Sequence, residues 1–386
     1  MRAPYFADER SALYLGDCRE VLAELDAGSI DAVVTDPPYG LEFMGKAWDA
    51  PWKTGDGFRR ARNEADAGRD NAFGRASRTS PEYVAGAGFQ AWCGSWLAEI
   101  RRVLRPGGYL LAFGAPRTFH RLAAAIEDAD LEFRDTVAWL YGSGFPKHAS
   151  ALKPAWEPII VARRPLEGSI ARNVAAHGTG ALNIDACRIP GPVEADGTPS
   201  NGQIGSDAAG RWPANVALDE VAAAALDAQA GERPTSGGGL RRRGASIGYG
   251  GSAGSQTPGV GYGDSGGASR FFYCAKASKA EREAGLSELP AVVGANGGKW
   301  LLPRRATRAR RNTHPTVKPL ALMRWLVRLA TPAGGLVLDP FTGSGTTRLA
   351  ALAEGRRFVG VELNEEYLAI ALARRVQAGL GMEGVI

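Results

Sequence analysis

Apolar positions along this chain follow two alternating rhythms. Short continuous runs predict strands: Ile30-Asp31-Ala32-Val33-Val34-Thr35, Tyr109 to Phe113, Leu131 to Tyr141 and Ile159 to Ala162. Between them, Phe89, Trp92, Trp96, Ile100 and Val103-Leu104 recur at helical spacing, with Pro106-Gly107-Gly108 as the stop signal. Pro116 to Asp128 predicts a second helix, and Leu320, Met323, Val327 and Ala330 give one apolar face of a third. A strand from Gly335 to Asp339, a helix over Arg348 to Glu354 closed by Gly355, and a strand from Arg357 to Val361 complete the pattern. Strands alternating with helices predict an α/β fold. Trp92 and Trp96 read as core anchors rather than base-stacking groups.

Two stretches break the rhythm. Trp48 to Tyr83 is polar and charged, and is expected to form a loop over the active site. Arg164 to Trp300 is rich in Gly, Ser and Pro, and from Ser236 to Gly267 glycine is dense enough to predict a mobile loop without a fixed core, or a linker without function. Ordered pieces are expected at Ala181 to Asp185, Arg211 to Asn215 and Arg270 to Tyr273. The chain therefore divides into 1–164, 165–300 and 301–386.

At 386 residues the chain can bury a sizeable core, and its net charge of +5 does not by itself imply a nucleic-acid partner. The distribution says more. From Lys299 to Arg311 stand six basic residues and no acid (Lys299, Arg304, Arg305, Arg308, Arg310, Arg311), and Arg241-Arg242-Arg243 forms a second cluster. Backbone phosphates are their natural counterpart, a solvated basic loop the plainer alternative. The four cysteines lie far apart, with no CxxC and no histidine at zinc-finger spacing, so neither a disulfide framework nor a metal site is expected. No stretch of about twenty apolar residues and no signal-peptide core is present, so a cytoplasmic protein with no membrane partner is expected.

Candidate chemistry starts at Asp36-Pro37-Pro38-Tyr39, directly behind the first strong strand. The prolines fix φ and remove backbone donors, which stiffens the loop. Asp36 and a proline carbonyl can accept both hydrogens of an exocyclic amino group while Tyr39 stacks on the attached ring. A second motif, Asp339-Pro340-Phe341-Thr342-Gly343-Ser344-Gly345-Thr346-Thr347, turns from a strand into a helix, and the next strand ends in Glu362, about where a carboxylate would bind ribose hydroxyls. It lacks the lysine of a phosphate-cradling loop and the third glycine of a dinucleotide site. Asp339 would repel a pyrophosphate and suits a cationic ligand instead, such as the sulfonium and ammonium of S-adenosylmethionine.

These motifs, with Leu15 to Cys18, Leu104 to Tyr109, Lys153 to Pro158 and His314-Pro315-Thr316-Val317-Lys318-Pro319, occur in the order that resembles amino-DNA methyltransferases of the permuted beta type, bacterial or phage. The resemblance implies a Rossmann-like, circularly permuted methyltransferase fold with 165–300 as an inserted target-recognition region. It implies methyl transfer from S-adenosyl-L-methionine to adenine N6 of a flipped base in duplex DNA, with Asp36, Pro37, Pro38 and Tyr39 catalytic. Cytosine N4 is the near alternative, and RNA or a protein amide a more distant one. For the cofactor it implies Asp339, Pro340, Phe341, Gly343, Ser344, Gly345 and Thr346 along the methionine side, Glu362 and Asn364 by the ribose, Asp17 near the adenine, and Thr316 and Lys318 at the carboxylate. Asp17 could equally cap a helix, and Lys318 be an ordinary surface lysine. Double-stranded DNA, a homodimer and a cognate restriction endonuclease are the partners the resemblance suggests, in a bacterial cell or phage-infected host.

Overall fold

In the computed structural model the described residues are 2–41, 81–144, 146, 149–191, 210–234, 240–242, 256–258, 264–275, 279–291 and 311–374. The strands in chain order are β1 Phe6–Ala7, β2 Ser11–Leu15, β3 Ile30–Thr35, β4 Leu104–Phe113, β5 Glu132–Leu140, β6 Trp156–Arg163, β7 Val216–Asp219, β8 Arg233–Pro234, β9 Leu240–Arg242, β10 Gln256–Pro258, β11 Ser265–Gly266, β12 Tyr273–Ala275, β13 Leu336–Asp339 and β14 Arg357–Glu362. The chain forms two compact units: Met1–Ala138, Trp156–Asn183 and Lys276–Ile386 make the first, and Trp139–Ala155 with Ile184–Ala275 the second. Besides the segment 139–155, the second unit spans 184–275 where 165–300 was expected, and the helix Ile170–His177 belongs with the first unit. Its Asn173 donates to the carbonyls of Pro106 and Thr179, at 2.8 and 2.7 Å.

In the first unit the strand order is β1-β2-β14-β13-β3-β4-β6-β5. β2, β14, β13, β3 and β4 run parallel, and β6 returns antiparallel to β4. Every residue of β3 is buried, as a central parallel strand requires. Asp31 is the exception to its apolar run, and both of its carboxylate oxygens are used. Oδ1 pairs with Arg105 at 2.7 Å and Oδ2 accepts the Leu336 N–H at 2.7 Å, stitching the start of β13 to β3. The helix Pro81–Val103 crosses from β3 to β4 and buries Phe89, Cys93, Trp96, Leu97 and Ile100. Trp96 is fully buried, which fits the core-anchor reading. The strand after this helix starts earlier than its sequence predicts. Pro106-Gly107-Gly108 lies within β4 as an irregularity, opposite a register shift between Ile30 and Ala32, and does not end the helix.

The chain winds from β13 through the helix Thr346–Ala353 to β14 on one side, and from β3 to β4 on the other. The carboxyl ends of β13 and β3 therefore flank a topological switch point, where open α/β sheets bind ligands. The motif of β3 precedes that of β13 in the chain although the strands are neighbours, the permuted order expected from the sequence.

In the second unit β7 and β12 pair in parallel, and Asp219 caps the helix Glu220–Ala230 by accepting the Ala222 N–H at 2.7 Å. Arg211 and Arg270 both lie against Phe271, at 5.0 and 4.4 Å from its ring centroid. The described pieces of the glycine-rich tract are paired: β9 with β10, and β11 with β8. The rest of that tract and Trp48 to Ser80 lie outside the described residues. Among the described residues, no helix is long and apolar enough to cross a membrane.

Candidate active site

The two motifs meet directly. Thr35, the last residue of β3, donates its hydroxyl to Asp339 Oδ1 at 2.7 Å, across the ends of the two strands. Asp36 follows at once. Its Oδ2 receives the Lys318 ammonium at 2.8 Å, while Oδ1 is buried and has no hydrogen-bond partner among the described residues. A carboxylate oxygen taken from water and left bare is costly, and marks a place where a donor is missing.

Lys318 is not the surface lysine that its sequence also allowed. It is buried, and besides Asp36 it contacts Glu157 Oε2 at 3.2 Å and donates to the Tyr39 hydroxyl at 2.9 Å. Burial works to lower its pKa, but Asp36 and Glu157 together raise it above the ordinary lysine value. The Tyr39 hydroxyl in turn donates to Glu157 Oε2 at 3.1 Å, and Thr118 holds the Tyr39 carbonyl at 2.6 Å. Pro37 is buried and Pro38 half-buried in the same turn. Glu157 is a site residue that sequence reasoning missed. Because β6 runs antiparallel to β4, its first residues reach the carboxyl end of the parallel strands.

Asp339 is engaged within the protein. Its carboxylate is buried and accepts from Thr35, from the Phe341 N–H at 3.1 Å and from the Thr347 hydroxyl at 2.6 Å. Burial raises its pKa to about 6 against those three hydrogen bonds. The carboxylate organises the loop that follows it. In that loop Gly343 and Gly345 have φ of +50° and +78°. A β-carbon at Gly345 would come within 2.7 Å of Ala371 in the helix Glu365–Ala373, and one at Gly343 within 2.6 Å of His314 Nε2. Buried Arg374 donates to the Ser344 carbonyl at 2.9 Å and the Thr346 hydroxyl at 2.8 Å, which ties both residues into the loop. Pro340 is buried, and Phe341 packs on Trp92 and Trp96 with ring centroids 5.8 and 5.2 Å apart.

Glu362, at the end of β14, accepts the Gly343 N–H at 2.8 Å and the Asn364 N–H at 2.9 Å, one on each oxygen. With the Leu363 N–H also directed at this carboxylate, acceptor capacity for a hydroxyl donor is still left over. Burial raises its pKa. The glycine turn beside an acid with open acceptor capacity fits a ribose-bearing cofactor. His314 binds the Thr316 carbonyl through Nδ1 at 2.8 Å, and burial lowers its pKa to about 4. The ring is therefore neutral at pH 7, with its proton on Nδ1 and an acceptor at Nε2 beside Gly343. The Thr316 side chain is exposed.

Asp17 and Asn364 both take local roles. Asp17 caps the helix Cys18–Glu24 and pairs with Arg19 at 2.6 Å, the alternative its sequence left open. Asn364 caps the helix Glu365–Ala373 through the Glu366 and Tyr367 N–H groups. Of the basic clusters, Arg241 and Arg242 lie in β9 and Arg311 ties its Nε to the Leu289 carbonyl at 3.1 Å. Arg243, Lys299, Arg304, Arg305, Arg308 and Arg310 fall outside the described residues.

A DNA methylase family model matches residues 30–168 and 241–373. The DNA adenine methyltransferase YhdJ of Escherichia coli is 43% identical over 79 residues, which cover 20% of this chain and 27% of that protein. The type II methyltransferase M.HindIII of Haemophilus influenzae is 24% identical over 380 residues, 94% of each chain. Among solved structures, the PvuII DNA methyltransferase (cytosine-N4-specific) aligns over 98% of this chain and 90% of its own, at 14% identity and a TM-score of 0.49.

Proposed function

This chain belongs to the N6/N4 DNA methylase family, and from that premise we propose that it methylates adenine N6 in duplex DNA, on a base flipped out of the helix. The cofactor, S-adenosyl-L-methionine, supplies an electrophilic methyl group when bound. Glu362 would hold it by its remaining acceptor capacity, beside the turn that Gly343 and Gly345 shape.

The observation that carries this reading is that Asp36 Oδ1 is buried and has no partner among the described residues. An aromatic amine is a poor nucleophile because its lone pair is delocalised into the ring. Asp36 Oδ1 accepts one amino hydrogen and the Pro37 carbonyl the other, which draws the nitrogen toward tetrahedral geometry and stabilises the positive charge that develops on it. Tyr39 gives the base a stacking face while its hydroxyl is pinned by Lys318 and Glu157. Aspartate rather than serine at position 36 supports adenine over cytosine. The second unit is assigned to target recognition. In it Trp212 is exposed beneath the Arg188 guanidinium, 5.1 Å from the ring centroid, a pairing suited to nucleic acid.

Duplex DNA incubated with the protein and labelled cofactor, then digested to nucleosides, is expected to yield N6-methyladenine by mass spectrometry. Label in N4-methylcytosine would overturn the choice of base. Label on RNA or protein with unlabelled DNA would overturn the substrate.

A further inference from the structure

Lys318 has three N–H donors and, among the described residues, three oxygens around it: Asp36 Oδ2 at 2.8 Å, Glu157 Oε2 at 3.2 Å and the Tyr39 hydroxyl at 2.9 Å. The Phe113 ring lies 4.9 Å from the ammonium and closes the pocket on an apolar side. No donor is left over for a ligand. We infer that Lys318 is a positioning residue for methyl transfer, whose ammonium lets Asp36 and Glu157 sit side by side and turns Asp36 Oδ1 toward the target amino group. This inference rests on the reading of Asp36 as the amino-group acceptor.

The physics is that of two carboxylates in one poorly solvated pocket. Without an intervening cation, like charges at this spacing compete for a single proton. A proton on Asp36 would weaken or block the very oxygen the reaction needs, since a charged acceptor binds an N–H about twice as strongly as a neutral one. The other titratable groups near Asp36 do not supply the missing charge. His314 is neutral at pH 7 because burial lowers its pKa to about 4. Asp339 is another carboxylate, raised by burial to about 6. The Tyr39 phenol keeps its proton, since burial and then the charges of Asp36 and Glu157 raise its pKa well above the usual value. Pinning one oxygen of Asp36 also fixes the rotamer of the other.

The test compares Lys318→Met, Glu157→Gln and the double variant with the wild type in methyl transfer to DNA across pH, alongside binding of S-adenosyl-L-methionine. Lys318→Met is expected to lower kcat about a hundredfold and to move the acid limb of the pH–rate profile up by about one unit or more. Its cofactor affinity should stay within about twofold, because the lysine has no free donor for that ligand. Adding Glu157→Gln removes the competing carboxylate and should bring the acid limb back down. A roughly tenfold loss of cofactor affinity with an unmoved acid limb would instead make Lys318 a cofactor ligand and overturn the inference. A double variant whose limb stays as high as that of Lys318→Met would overturn it too. Should Lys318→Met fail to fold, Glu157→Gln alone decides, because an upward shift of its acid limb contradicts competition between the carboxylates. Full activity in Asp36→Ala would sink the acceptor reading itself. An inactive Asp36→Ala beside an unmoved Lys318→Met limb would sink only the role of the lysine.

Discussion

Asp36 and Asp339 stand at the carboxyl ends of two neighbouring parallel strands, yet the protein treats their carboxylates in opposite ways. Asp339 is engaged from within: two hydroxyls and a backbone N–H give each of its oxygens a partner, and the result is a fixed glycine loop. Asp36 is left half-filled among the described residues, one oxygen on an ammonium and the other without a partner. Position in the fold does not decide which acid does chemistry. Unfilled hydrogen-bonding capacity does. A carboxylate whose donors all come from its own surroundings is architecture, and one with an open oxygen in a ligand crevice awaits a partner.

The sharpest way to break this contrast is to remove each acid in turn. Asp36→Ala is expected to lower kcat/KM for DNA by at least about a thousandfold, the scale set by losing a charged acceptor in the transition state. Its stability should change by less than about 1 kcal/mol, because Lys318 keeps Glu157 and loses only one of two carboxylates. Asp339→Ala should do the reverse in kind. It strands the Thr35 and Thr347 hydroxyls and the Phe341 N–H in a dry site, at a cost of about 3 kcal/mol by denaturant unfolding. If Asp36→Ala unfolds the protein, or Asp339→Ala leaves its stability intact, the two acids are not divided as described.

A smaller effect lies in the pH dependence of stability. The folded-state pKa of Asp339 is raised to about 6 from an unfolded value of 3.8, so the folded chain binds this proton more tightly than the unfolded chain does. The stabilisation from that group is absent near pH 7, grows as pH falls through 6, and is complete below 3.8. Relative to Asp339→Asn, which cannot titrate, the wild type should gain about 2 kcal/mol between pH 7 and 4. Parallel curves for the two proteins over that window would mean that Asp339 is not held in a dry site.

Much of this arrangement was legible in the sequence. β3, the turn behind it, the glycine loop and Glu362 are local patterns, each written in a run of adjacent residues, and strand periodicity with turn chemistry suffices to place them. What escaped was contact between distant residues. Nothing near Lys318 in sequence announces that it lies against Asp36, and nothing near Glu157 announces its bond to Tyr39; the sheet order brings them together. The same limit hid the internal hydrogen bonds of Asp339. From sequence it is an acid at a strand end, and only the packing of β3 against β13 delivers the Thr35 hydroxyl that helps to engage it. Pro106-Gly107-Gly108 misled for a related reason. A stop signal for a helix also serves as an irregular stretch within a strand, and the choice between them was made by pairing with β3.

The finest probe of the contrast is Thr35→Val, since the Thr35 side chain touches Asp339 while its backbone adjoins Asp36. Valine keeps the shape and removes the hydroxyl. Asp339 Oδ1 then retains only the Phe341 N–H, which should cost about 1 kcal/mol. The Thr35 hydrogen bond works to lower the pKa of Asp339, so losing it should push that pKa above about 6 and move the onset of the pH-dependent gain to higher pH. Asp36 is still held by Lys318, and methyl transfer should fall by no more than about threefold. A loss as deep as that of Asp36→Ala would show that the state of one acid is passed to the other through Thr35, and that the two strand ends act as one unit rather than as architecture and chemistry side by side.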